Sequence, residues 1–509
     1  MTQTQPLLKI NAKVFYPTIL FLVVVIVYSL RDNEGFLTLA NATNQWILQQ
    51  VGPLFTWSAF LFLVILAMIY FSPLAKVKIG GPKAEPLLSK WRWFAIALCT
   101  TVATGILFWG AAEPLYHLHQ PPSGLGITGQ SWEATQFAMS TMYMHWSFTP
   151  YGIYTITGMA FALVYYNLRQ PFSISALFYP LFGKRAYGAV GTLMDILCLA
   201  ALVSGMAASL GTGIFALMGG LETTLHFQQS DLLMGIIGAV IVLSFILSAI
   251  SGLKRGISWL SNINAQAFLV LAVLVFVLGP TLSVLKIGGA GFVDYGLHFL
   301  SRSTNIGAQI NTDWLNSWTI FYFANWFAWA PVAALFLGRL ALGYTVRDFI
   351  HFNLFFPAFF TCIWMMVFSG TAIDFDLTTK GQLFQVLNEQ GEENVMFTIL
   401  ESLPMGKIIS LLTLVMVFIS YVTAADSNIS AMSAISTSGI SPDHPEAPMW
   451  IKITWGSLIG LIAWVMITSA GIDGIRLLCV IGGFPALFMI ILVSIGVLKM
   501  GFQQKTDAD

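Results

Sequence analysis

Two clusters of aromatic residues carry the most distinctive chemistry in this chain. The run Met144-His145-Trp146-Ser147-Phe148-Thr149-Pro150-Tyr151-Gly152-Ile153-Tyr154 places Tyr143, Trp146 and Tyr154 near one helical face, with Pro150 bending the helix between them. In the second cluster, between Trp318 and Pro331, Tyr322, Asn325, Trp326 and Trp329 recur at i, i+3, i+4 and i+7 and form one continuous face. Tyr151 and Phe321 lie in the same two stretches. Rings arranged this way can surround a quaternary ammonium, whose diffuse charge neither donates nor accepts hydrogen bonds. The ring quadrupole compensates that charge instead, at ~2 kcal/mol or more per desolvated contact. The ordinary alternative is packing of bulky residues between helices. Two clusters away from any membrane interface, one of them beside a proline, favour a site.

The ionisable residues are few. Asp195 and Asp426 lie inside apolar stretches, and Glu113 ends another. Such residues are functional suspects by default. A structural or gating hydrogen-bond role is preferred here to a proton relay, because no chain of such groups crosses the sequence pattern. Glu113 and His117, spaced i, i+4, could bind a metal together with His119, but interfacial placement explains all three and no metal is expected. His145 reads as a satisfied core histidine. The four cysteines stand apart, with no CxxC or zinc spacing. No HExxH, GxSxG or Walker A pattern occurs, so no catalytic residue and no enzyme is expected.

The elements that must hold these residues are membrane-spanning. Of 509 residues, 57% are hydrophobic and 9% charged, against roughly 25% charged in soluble domains. That composition excludes a soluble globule and a disordered chain, and zero formal net charge offers no field to attract nucleic acid. Hydropathy predicts twelve helices near 14–30, 52–71, 91–112, 134–165, 187–217, 231–252, 260–285, 316–338, 349–371, 406–432, 449–469 and 475–499. With both termini cytoplasmic, only Arg31, Lys286, Arg302, Lys380, Lys407 and Arg476 of the 23 Lys and Arg residues fall outside, which is a strong positive-inside bias. Segment 286–315 reads as an amphipathic helix on the outer surface. Thr100–Gly105 and Ala330-Pro331 are places where a helix could open, the pointer to a midplane site in transporters with inverted repeats. Gly456 and Gly460 read as packing residues.

These residues resemble the betaine/carnitine/choline transporter family over essentially all twelve spans. The most specific element is Trp318-Thr319-Ile320-Phe321-Tyr322 followed by Trp326, Trp329, Pro331, Phe336-Leu337 and Arg339. Supporting matches are Phe108-Trp109-Gly110-Ala111-Ala112-Glu113-Pro114, His145-Trp146, Ser251-Gly252 with Gly256-Ile257, and Thr423-Ala424-Ala425-Asp426-Ser427. The resemblance implies an all-α polytopic membrane protein with a LeuT-like fold. It divides the chain into a tail and two leading helices (1–90), a first inverted repeat (91–285), the external connecting helix (286–315), a second repeat (316–499) and a short cytoplasmic tail (500–509), without the long charged extension of osmosensing members. It also implies a homotrimer in a bacterial inner membrane and a small onium substrate such as glycine betaine, carnitine or choline.

By position, Trp146, Tyr154, Trp326 and Trp329 match the family's aromatic cage, and Tyr116 matches a substrate-contacting tyrosine of the carnitine exchangers. Asn325 replaces a tryptophan usual in the family, which makes one wall polar and suits a substrate with a hydrogen-bonding group. Thr423 matches a sodium-ligand threonine, and Thr104 and Gly105 would supply backbone carbonyls to one sodium ion, the only cofactor-like partner expected. Ala424, Leu202 and Met206 replace family hydroxyls, so a second sodium site is not expected. Asn264 stands where sodium-independent exchangers carry arginine. The resemblance thus implies a secondary carrier working by alternating access with one sodium ion. Sodium-independent exchange is the alternative, and a channel-like membrane protein the alternative of a different class.

Overall fold

Lipid offers no partner to a backbone amide, so apolar stretches must close their hydrogen bonds internally as helices. The computed structural model describes residues 9–102, 105–251, 254–307, 309–438 and 447–506. In chain order its principal helices are α1 (Ala12–Arg31), α2 (Asn33–Phe71), α3 (Lys90–Val102), α4 (Gly105–His119), α5 (Trp132–Trp146), α6 (Phe148–Ala162), α7 (Ala189–Leu225), α8 (Asp231–Ser251), α9 (Lys254–Leu278), α10 (Thr281–Thr304), α11 (Phe321–Leu340), α12 (Phe356–Thr378), α13 (Glu392–Ser402), α14 (Gly406–Ile435) and α15 (Met449–Thr506). Helices occupy all twelve stretches that hydropathy marks as spans. Among the described residues, eight helices are individually long and apolar enough to cross a membrane, or nine with one bent pair. One span broken at Ser147, one that contains residues outside those described, and α15 holding two account for the difference.

Each interruption has a local cause. Pro150 has no N–H to offer the Trp146 carbonyl, and the helix breaks at Ser147 (φ −110°, ψ −111°) between α5 and α6. Gly471 (φ +56°, ψ −134°) divides α15, in a backbone region that side chains do not tolerate. Near Gly279-Pro280 the chain turns by 110° from α9 into α10, which then packs across α5: the Tyr143 hydroxyl donates to Gly288 O at 3.0 Å. Pro331 differs from its sequence expectation. It sits inside the unbroken α11, and a wide π turn at Asn316–Ile320 comes before that helix instead. The missing N–H of Pro331 leaves the Phe327 carbonyl without a helical donor, and the helix continues through it, as buried membrane helices can.

Without a hydrophobic drive between helices in lipid, close approach depends on small residues. Gly456 and Gly460 seat α15 on α8, where an added Cβ would meet Ile246 at 2.6 Å and Val242 at 2.8 Å. A backbone-to-backbone crossing joins α6 to α11: a Cβ on Gly338 would stand 2.6 Å from Gly158 O. Backbone cannot yield there as a side chain can. Gly338→Ala is therefore expected to separate the two helices and destabilise the protein by about 1–3 kcal/mol, seen as a lowered melting temperature of the purified protein.

Candidate functional site

A cavity of about 50 Å³ lies where α4, α5, α6, α7, α11 and the second half of α15 converge. From α11 come Phe321, Tyr322, Asn325, Trp326 and Trp329, the face that spacing alone marks out. Trp146, the last residue of α5, and Tyr154 of α6 stand opposite, on either side of the Ser147 break. Trp146 and Trp326 meet edge to face at 5.1 Å, and Tyr154 meets Trp326 edge to face at 6.3 Å. Gly105 and Trp109 of α4 close another side. A Cβ added at Gly105 would lie 3.4 Å from Trp146 Cη2, so the glycine lets that indole approach. The polar edge is formed by Ser209 and Thr212 of α7 together with Asn325, whose Oδ1 accepts from the Cys479 thiol at 3.2 Å. No lining residue carries a charge.

One carboxylate behind the aromatic wall orients it. Glu113 is fully buried and accepts three N–H groups: His117 Nε2 at 3.1 Å and His145 Nδ1 at 2.6 Å on Oε1, and Trp146 Nε1 at 2.7 Å on Oε2. His145 in turn contacts Thr319 Oγ1 through Nε2 at 3.0 Å, and its backbone carbonyl accepts from Trp326 Nε1 at 2.9 Å. Both cage indoles therefore hang on one cluster. The ligand atoms of Glu113, His117 and His145 lie within 4.8 Å of one another. However, the 2.6 Å separation is that of a hydrogen bond, whereas two ligands of one tetrahedral zinc stand about 3.3 Å apart. The expected trio with His119 is not assembled: His119 Nε2 pairs with Asp376 Oδ2 at 2.6 Å.

The remaining expected residues are distributed as follows. Tyr151 lies behind the cage, against Thr361 Oγ1 at 3.2 Å, in a smaller pocket shared with Trp146, Tyr154 and Trp326. The Tyr116 hydroxyl donates to Glu392 Oε1 at 2.6 Å while its ring packs on Trp318, away from the cavity lining. Tyr143 turns out of the cage face toward Phe292 and Tyr295. Of the expected sodium contacts, Gly105 lines the cavity, and Thr104 lies outside the described residues. The Thr423 hydroxyl donates within its own helix, to Ile419 O and Ser420 O. Asp195 accepts from the Ser175 backbone N–H at 2.8 Å, and Asp426 from Ser248 Oγ at 2.6 Å.

Sequence reasoning missed Arg476. Its guanidinium rests 5.9 Å from Trp109, 5.3 Å from Trp318 and 5.9 Å from Phe321. Two of those rings line the cavity, so Arg476 roofs it. Its assignment to the outer side by charge was the signal available.

Residues 13–506 match the family model for betaine/carnitine/choline family transporters. The chain belongs to that family. It is 29% identical over 494 residues to an ectoine/hydroxyectoine transporter of Virgibacillus pantothenticus, covering 96% of each chain. It is 30% identical over 499 residues to a high-affinity choline transport protein of Escherichia coli K12, covering 96% of this chain and 72% of that one. A glycine betaine transporter of Acinetobacter baylyi is 27% identical over 492 residues, covering 96% of this chain and 73% of that one. The protein is thus a multi-pass membrane transporter of the LeuT-like class and not an enzyme.

Glu113→Leu would leave three buried donors without an acceptor, each at roughly 1–3 kcal/mol. The expected outcome is a strongly lowered melting temperature and altered tryptophan fluorescence. An unchanged spectrum and melting point would show that the indoles are oriented by other contacts.

Proposed function

We propose that this family member is a secondary carrier of a small quaternary-ammonium or betaine-type solute, working by alternating access and coupled to one sodium ion. The observation that supports the onium reading best is the cavity wall: seven aromatic side chains and no charged one. A cation in such a place can be compensated only by ring quadrupoles and by the Glu113 charge behind Trp146. Ammonium compounds with hydrogen-bonding N–H groups would leave donors unpaired against those rings, whereas a trimethylammonium head has none to lose. Asn325, Ser209 and Thr212 give one polar edge, suited to the carboxylate or hydroxyl end of the same solute. The names of two relatives, which concern choline and glycine betaine, agree with this class, whereas ectoine, named for a third, carries N–H groups and would need the polar edge.

In this reading the solute enters from outside past Arg476, sits against Trp326 and Trp146, and leaves toward the basic cytoplasmic side. The charge bias supports cytoplasmic termini in a bacterial inner membrane. Gly105 at the cavity and Thr423 on α14 are the residues assigned to sodium. Exchange without sodium is the second reading, favoured by Leu202, Met206 and Ala424, all buried and without ligand oxygens in their side chains.

Trp326→Ala should abolish saturable uptake of choline or glycine betaine into proteoliposomes; near-normal KM and rate would refute the cage. Replacing external sodium with potassium should stop uptake by the intact carrier. Equal uptake in both salts would decide for exchange.

A further inference from the structure

The Glu113 cluster has a property that cage geometry alone does not require. The carboxylate already accepts every N–H that reaches it, and these come from His117 Nε2, His145 Nδ1 and Trp146 Nε1. With both imidazoles neutral, a full negative charge lies buried without a counter-ion, an expensive arrangement. The two histidines differ in what a further proton would meet. His117 Nδ1 is buried with no partner, so a proton there would be stranded. His145 Nε2 faces Thr319 Oγ1 at 3.0 Å, and a hydroxyl can accept as well as donate. His145 can therefore carry a proton on both nitrogens with both satisfied, one toward Glu113 and one toward Thr319.

That proton would lie directly behind the substrate cavity. The His145 ring stacks on Tyr322 at 4.9 Å and 29°, and Tyr322 lines the cavity. Trp146 likewise has Glu113 at its N–H and the cavity against its ring. An imidazolium and an onium group would thus compete for one carboxylate and share one phenol ring. We propose that the Glu113–His145 pair is a proton-binding site antagonistic to the onium solute, so that solute entry expels one proton from His145 to solvent. The inference rests on the onium reading of the cage.

The titratable surroundings leave this pair dominant. On α4 the facing group is His117, and on α11 it is the Tyr322 hydroxyl. On α15, Arg476 lies over Trp109, Trp318 and Phe321, and the Cys479 thiol is held by Asn325. Glu392 of α13 is taken by Tyr116 and Asp376 of α12 by His119, while on α10 Asp294 pairs with Arg302 and His298, and Arg302 also donates to Ser140 Oγ. Cys362 of α12 faces Tyr143.

The test is calorimetric titration of the purified full-length protein with choline and with glycine betaine, between about pH 5.5 and 8.5 where histidine titrates, in buffers of differing ionisation enthalpy. The expected result is release approaching one proton per onium bound on the acid side, with affinity falling by up to about tenfold per pH unit as the solution is acidified. His145→Gln keeps hydrogen-bonding capacity without a proton site, and whatever onium affinity it retains should be independent of pH and release no proton. If that variant fails to fold or to bind, the proton count of the unmodified protein decides alone. Onium binding without proton release at any pH overturns the proton site and leaves the cage intact. Absence of binding by both compounds at every pH overturns the onium reading and this inference with it.

Discussion

The architecture of the site depends on one carboxylate buried where it cannot be hydrated. Glu113 is held in a dry interior by N–H donors from two helices, and those bonds fix where α4 stands against α5. Because the His145 carbonyl also receives the Trp326 indole, the order extends to α11. A charge in such a place is costly unless fully satisfied, so every ring it touches is confined to one orientation. The aromatic faces are oriented as a set.

Packing provides the second constraint. The α6–α11 crossing works only because neither helix has a side chain where Gly338 meets Gly158. It brings Tyr154 against Trp326. The break at Ser147 contributes as well: it lets α5 deliver Trp146 from one direction and α6 deliver Tyr154 from another.

How much of this was legible in the sequence follows from the range of each interaction. The spans were legible because lipid imposes helices on apolar runs. The α11 face was legible because its residues share one rigid helix, whose period converts spacing into direction. Tyr143 was misplaced because its hydroxyl is taken by Gly288 O of α10, a helix far along the chain that spacing does not reveal. Pro331 was taken as an opening because a proline inside a continuous helix and one at a break look alike in the chain order. Tyr116 is claimed by Glu392, and His119 by Asp376, partners hundreds of residues away that no spacing announces. His145 was taken for an ordinary satisfied core residue, and its partners are indeed all present. What the chain order could not show is that they include the anchor of the cage.

The corner at Gly471 has a consequence for how such a cavity can change shape. The half of α15 beyond it carries Ile475 and Cys479 in the wall and Arg476 in the ceiling. Those three residues ride on one stiff rod hinged at a residue without a side chain. Were that rod to swing, the ceiling and the chamber wall would have to move in the same stroke, as a single mechanical coordinate.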